Sequence, residues 1–249
     1  MTDNADPLNG WSSEEVADTS SGAATADIYG KLFFYIRRLL RSFLDRLSSL
    51  NISFEILQID VSSLPDHLET DAFSRIEVSN ISDAGWLGIH YTLGLMVPLL
   101  QTPLENPHAT LITLFMNAVD ETLTDQDKIR DLTPHSTTTK RLLKYLPPKR
   151  RPTSPYDPTL IKVSLGRELV TTYEDIFDRY LENFMFREAA DFLGATMKKK
   201  HTIIDKWPYR LKLRPGQPGA QDEFDRRISG GVSGKERYVE WKRTHRGML

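Results

Sequence analysis

Four polar residues stand at the exits of apolar runs. Asp60 closes the run that begins Ile52-Ser53-Phe54-Glu55-Ile56, Asn80 and Asp83 follow Phe73–Val78, and Asn117 follows Ala109–Met116. In open α/β sheets, ligands sit beyond the carboxyl ends of the strands, so such residues are the first candidates for chemistry. A carboxylate there can accept a hydrogen bond from an amino group, and an amide can position a substrate. Strand exits also use Asn and Asp simply to turn the chain. Asp120 and Glu121 follow Asn117 and can converge on the same edge.

Other chemistries find little support. The chain has no Cys, which excludes a disulfide framework, a thiolate nucleophile and Cys-ligated zinc. The histidines, His67, His90, His108, His135, His201 and His245, show no pair at metal-ligand spacing, and no metal site is expected. His108 precedes an apolar run, where it can serve as a base or satisfy a carbonyl. Neither a nucleophile elbow nor a phosphate-binding Gly-Lys loop is present. Lys149-Arg150-Arg151 and Lys198-Lys199-Lys200 can bind phosphate or nucleic acid, but a charge run is more often a solvated face.

The elements that must position these residues follow from periodicity. Residues 1–26 are rich in Ser, Asp, Ala and Thr and read as a disordered acidic arm, onto whose neighbour Trp11 can dock. A helix from Asp27 to Leu50 carries Leu32, Ile36, Leu39, Leu40, Phe43 and Leu47 on one stripe, as an ordinary surface helix burying that stripe. Strands are expected at 52–61, 73–80 and 109–116, with a helix over 84–100 ended by Pro98. A helix at 137–146 leads to a basic, Pro-rich connector near 147–158. Beyond it come a strand at 160–164, a long helix at 170–197 with an aromatic core stripe, an extended strand at 201–213, and short helices at 220–229 and 234–245. Residues 27–249 read as a single α/β domain with a doubly wound sheet.

The formal net charge of −2 conceals a division: residues 1–137 hold 8 basic and 20 acidic side chains, and residues 138–249 hold 24 and 14. Intramolecular complementarity between the halves is the expected use of that asymmetry. No apolar run is long enough to span a membrane. The first 27 residues contain six acidic side chains and no basic one, unlike a targeting peptide. A soluble, cytoplasmic protein is the expectation.

The order Asp60, Leu64-Pro65, Phe73-Ser74-Arg75-Ile76, Asn80, helix, buried strand resembles the later half of a class I S-adenosylmethionine-dependent methyltransferase domain. The resemblance implies Asp60 toward the adenine, Asn80 and Asp83 near the transferred methyl group, and Asn117 lining the same edge. Ser74 replaces the Asp usual in that pattern. Upstream, Gly10, Gly22 and Gly30 form no Gly-x-Gly turn after a strand. The sheet is therefore expected to be an incomplete Rossmann-like one, lacking the Gly-rich first strands, with a helical C-terminal half. Bound cofactor is not expected unless a partner or a missing N-terminal half completes the site.

Phe73–Asp83, Asn106–Asn117 and Arg237-Tyr238-Val239-Glu240-Trp241-Lys242 are also similar to a fungal family of uncharacterised function. Its members are often fused to MYND zinc fingers and are related to the N-terminal region of dynein axonemal assembly factor 3. Over roughly residues 28–245 this implies a methyltransferase-like domain acting through protein contacts in assembly, with a protein partner that can add to an exposed sheet edge. Membrane and nucleic-acid partners are not expected.

Overall fold

The computed structural model describes residues 7–8, 11–148, 152, 154–228 and 233–244. In chain order the elements are α1 (Ser13–Asp18), α2 (Ile28–Ser49), β1 (Arg75–Val78), α3 (Gly88–Met96), β2 (Thr110–Phe115), α4 (Ala118–Thr122), α5 (Asp125–Leu132) and α6 (Thr137–Tyr145). They continue as α7 (Pro158–Val170), α8 (Glu174–Asn183), α9 (Phe186–Phe192), β3 (Ala195–Met197), α10 (Ala220–Ile228) and β4 (Arg237–Arg243). The chain divides into two compact units, residues 1–58 with 211–232, and residues 59–210 with 233–249, where the sequence predicts an arm and one domain.

The first unit is built on α2. Asp27 caps it by accepting from the Gly30 amide at 2.8 Å. The predicted arm is not featureless. Ser12 caps α1, and Val16 is buried with Leu32 and Tyr35 of α2. The Tyr35 hydroxyl donates to Glu15 at 2.7 Å, and Lys31 reaches the Ala17 carbonyl. Trp11 packs edge-on to Tyr35 at 6.1 Å. One apolar anchor and two polar clasps suffice to hold a short helix that composition alone reads as disordered. Arg226 and Arg227 of α10 reach Glu14 at 3.5 and 3.7 Å.

The stripe of α2 departs from expectation. Only Leu32 and Tyr35 are buried along its 22 residues. Leu39, Leu40, Phe43 and Leu44 are all exposed. Residues 52–61 form no strand either. Ile52, Phe54, Leu57 and Ile59 are exposed, and Ile56 is 92% exposed. A strand needs a neighbouring ladder to satisfy its amides, and this segment has none.

The second unit holds a four-stranded mixed sheet in the order β1-β2-β4-β3. β1 and β2 are parallel, with Arg75 opposite Thr110 and Val78 opposite Thr113, and α3 makes the crossover. β4 runs antiparallel to both β2 and β3. The sheet is therefore mixed, not doubly wound and parallel. β4 occupies the predicted helix at 234–245: the run Tyr238-Val239-Glu240-Trp241 buries Val239 and Trp241 on one face and Glu240 on the other.

Three further expectations fail. The predicted strand at 160–164 lies inside α7, which starts with Pro158 and is capped by Asp157 accepting from the Thr159 amide at 2.9 Å. The long helix predicted at 170–197 is instead the end of α7, then α8 and α9. The break between the last two is at Met185, in the left-handed conformation (φ 48°). Residues 201–213 are irregular and pair with no strand. The predicted connector at 147–158 falls partly on residues outside those described.

Most of the aromatic stripe is core, as expected, but Phe184 and Phe192 are exposed. Phe115 of β2 meets Phe177, Tyr180 and Phe186 at ring separations of 5.6, 5.9 and 5.4 Å. Leu93, Leu100, Leu111 and Trp241 join them with no exposed surface. The Trp241 indole donates to Thr113 Oγ1 at 2.9 Å, which satisfies its only polar atom.

Candidate functional site

β1 and β2, being parallel, bring their carboxyl ends side by side, and Asp83 and Asn117 meet there. The chain leaves β1 through a short 3-10 turn at Asn80–Ser82, whose closing amide is that of Asp83. It leaves β2 through Asn117, which begins α4. Asp83 Oδ2 accepts from the Met116 amide at 3.1 Å, the Asn117 amide at 3.2 Å and Asn117 Nδ2 at 3.1 Å. The carboxylate thus ties the two strand exits together. Asp83 Oδ1 and the neighbouring Ser82 hydroxyl are buried without a partner among the described residues.

Burial pushes the Asp83 carboxyl up to about 6; the Met116 and Asn117 amides work against that rise, and Glu121 adds to it. A carboxyl titrating there suits proton transfer. Its position does not: Asp83 has no exposed surface, so no substrate atom reaches it as the chain stands. Next to it, the Ala84 amide donates to the Tyr180 hydroxyl at 2.9 Å, and burial raises that phenol well above its usual range. Tyr180 fixes the same loop from α8, and nothing in its sequence context distinguishes it from the rest of the aromatic stripe.

Asn80 is half-buried, and its Oδ1 accepts from the Ser79 hydroxyl at 3.3 Å. It is three residues before Asp83 and makes no side-chain bond to Asp83 or Asn117. Asp60 ends no strand. It caps the 3-10 turn Val61–His67, accepting from the Ser62 amide at 2.8 Å and the Ser62 hydroxyl at 2.5 Å. Those two bonds, the hydroxyl first, lower its carboxyl below the usual range. Of the four predicted residues, Asp83 and Asn117 are joined, Asn80 is adjacent, and Asp60 is committed to a turn.

α4 leads from this cluster to a cavity of about 470 Å³, with Asp120, Asp131, Arg167, Tyr173 and Lys235 in its wall. Lys235 pairs with Asp120 at 2.9 Å and Glu168 at 3.0 Å. Burial opposes its charge, but those carboxylates outweigh burial and raise its pKa. Arg167 pairs with Asp131 at 3.6 Å. Burial pushes the Tyr173 phenol up to about 12. Much of the wall's charge is thus paired within the chain, while Arg141 donates to the Val170 carbonyl at 3.3 Å.

The remaining candidates resolve into structural roles. His201 bonds the Ile204 carbonyl through Nδ1 at 3.1 Å and accepts from the Glu240 amide through Nε2 at 3.2 Å, so both ring nitrogens are engaged. His90 bonds the Phe184 carbonyl at 2.8 Å. No cluster of metal-binding side chains occurs among the described residues. Lys198 is not a free surface cation: it pairs with the buried Glu240 at 3.2 Å and donates to Thr110 at 2.5 Å. Lys149-Arg150-Arg151 and His245 lie outside the described residues. Among those residues, no helix is long and apolar enough to cross a membrane.

Comparison with known proteins finds no match to any family model, curated protein or solved structure.

Proposed function

We propose that this chain is a non-catalytic, methyltransferase-like domain that acts in assembly through protein contacts. The observation that carries this reading is the apolar surface left open on α2 and residues 50–57. Leu39, Leu40, Phe43 and Leu44 follow one helical stripe, and Phe54 lies against Phe43 at a ring separation of 6.1 Å. Helix and extended segment therefore make one continuous surface, and a surface of this kind marks an interaction site. Its charge selects the partner. α2 carries Lys31, Arg37, Arg38, Arg41 and Arg46 against Asp45 alone. A second copy would oppose like charges, whereas an acidic protein surface would complement them. The outer edge of β1 is a poorer docking site, since the strand is four residues long and exposes Arg75 and Glu77.

A photo-crosslinking side chain at position 43, compared with one at the more exposed Tyr156, tests the reading in cell extract. Adducts to an acidic protein that form at 43, vanish in Leu40→Glu and do not form at 156 are expected. Equal labelling at both positions overturns it.

The enzymatic alternative, an S-adenosylmethionine-dependent methyltransferase completed by a partner or a missing N-terminal half, rests on the Asp83–Asn117 pair at the carboxyl ends of β1 and β2. Calorimetry with S-adenosylmethionine separates the two. Micromolar binding lost in Asp60→Ala or Asn117→Ala favours the enzyme.

A further inference from the structure

We propose that the second unit binds a small phosphate-bearing ligand in the cavity walled by α8, α9, the segment 198–206 and β4. The cavity encloses about 420 Å³, within the range of small-molecule sites. Its wall holds Arg187, Lys198, Lys199, Lys206 and Arg237, against the carboxylates of Asp178 and Asp191. Lys198 is taken by Glu240. Arg187, Lys199 and Lys206 form no ion pair among the described residues, which leaves an excess of positive charge facing the space.

Arg237 is the decisive group. Its guanidinium lies over the rings of Phe177 and Trp207, at 5.0 and 5.2 Å from their centroids. Its hydrogen bonds go to the Lys206 and Tyr238 carbonyls, not to a carboxylate. Burial lowers its pKa to about 10. The other face of the problem is Arg210, whose guanidinium is 3.8 Å from the Trp207 ring. Arg210 holds Glu174 at 2.6 Å, while its Nε and Nη2 are buried and unpartnered. Two desolvated guanidiniums thus flank one indole, and Glu174, bonded to Arg210, reaches Arg237 only through space, as does Asp178. A partly buried cation without a bonded carboxylate is costly, and an anion entering the cavity supplies a direct partner.

The geometry also suggests the ligand's form. Planar guanidinium suits bidentate contact with phosphate, and mobile lysines add point charges. Phe177 and Met197 offer an apolar wall for the ester group. His201 contributes shape alone, because both its nitrogens are engaged within the chain. The inference stands on this cavity and is independent of the surface on α2.

Calorimetric titration of the full chain with sodium pyrophosphate tests it. One site per chain is expected, with affinity at least about tenfold weaker in Arg237→Gln. The exposed pair Lys199→Gln with Lys206→Gln provides a second reading should Arg237→Gln fail to fold, and the same loss is expected there. Lys140→Gln, on α6, should leave binding unchanged. Absence of pyrophosphate binding by the unaltered chain overturns the proposal, as does equal binding by the double variant. So does an oligouridylate of about 20 nucleotides that displaces pyrophosphate from every variant alike, since that marks a nucleic-acid surface instead.

Discussion

Glu240 shows how this sheet keeps a charge inside. Its carboxylate has no exposed surface, yet it accepts from the amides of Thr202, Ile203 and Ile204 at 2.7–3.0 Å and pairs with Lys198. Burial pushes the carboxyl up, but the amides and Lys198 outweigh that and hold it at about 2. Its folded pKa lies below its unfolded value, so its stabilisation is present above pH ~4.5 and is lost as pH falls toward ~2. Glu240→Gln should cost about 3 kcal/mol at pH 7, by leaving Lys198 unpaired. In urea unfolding, that difference should shrink on acidification; a constant difference would contradict the role. Asp83 has the opposite sign. Its folded pKa of about 6 exceeds the ordinary 3.8, so wild-type stability should fall as pH rises from 3.8 to about 6. Asp83→Asn should flatten that slope and gain about 2–3 kcal/mol relative to wild type across the interval. An unchanged slope would place the titration elsewhere.

At the scale of elements, helix boundaries were set by single residues that periodicity does not register. The run from 170 to 197 reads as one amphipathic helix, because its aromatic spacing passes through the break. Met185 interrupts it with φ 48°, a conformation that costs a residue with a side chain about 1 kcal/mol. Met185→Gly should therefore raise unfolding free energy by about 0.5–1 kcal/mol, since the side chain is exposed and little packing is lost. A loss of stability would mean that the Met185 side chain matters more than its backbone. α2 supports a different test. Leu40→Glu with Phe43→Glu should leave thermal stability within about 0.5 kcal/mol, because both side chains already face solvent. A larger loss would show that the stripe is buried in the folded chain.

At the scale of the molecule, the charge division closes on itself. Arg179 meets Asp127, Arg167 meets Asp131, Lys235 meets Asp120, Arg243 meets Asp71, and Arg226 meets Glu14 and Asp18. Each pair joins a base from the second half of the sequence to an acid from the first. Most are partly exposed, so each contributes little and is screened by salt. Raising sodium chloride from about 0.05 to 0.5 M should lower unfolding free energy by about 1–2 kcal/mol. No change, or a rise, would mean that the halves do not stabilise one another electrostatically.

The strands at 73–80 and 109–116 and the helices at 84–100, 137–146 and 220–229 were legible from local pattern, the strands from short runs rich in branched apolar residues and the helices from apolar residues at helical spacing. Asp83 and Asn117 were legible as strand-exit residues for the same reason. Asp60 was not: its run at 52–61 has the composition of a strand but no ladder to join, and a strand exists only where a neighbour accepts its amides. β4 was missed for the complementary reason, because its seven residues become a strand by inserting antiparallel between β2 and β3. The amino-acid sequence thus determined which segments could be helix or strand, and the absence of thiol chemistry. Only the tertiary structure decided which edges were paired, which apolar stripe stayed open on α2, and which cations, Arg237 above all, were half-buried without a bonded carboxylate. Those outcomes depend on contacts between residues far apart in the chain, which no local pattern encodes.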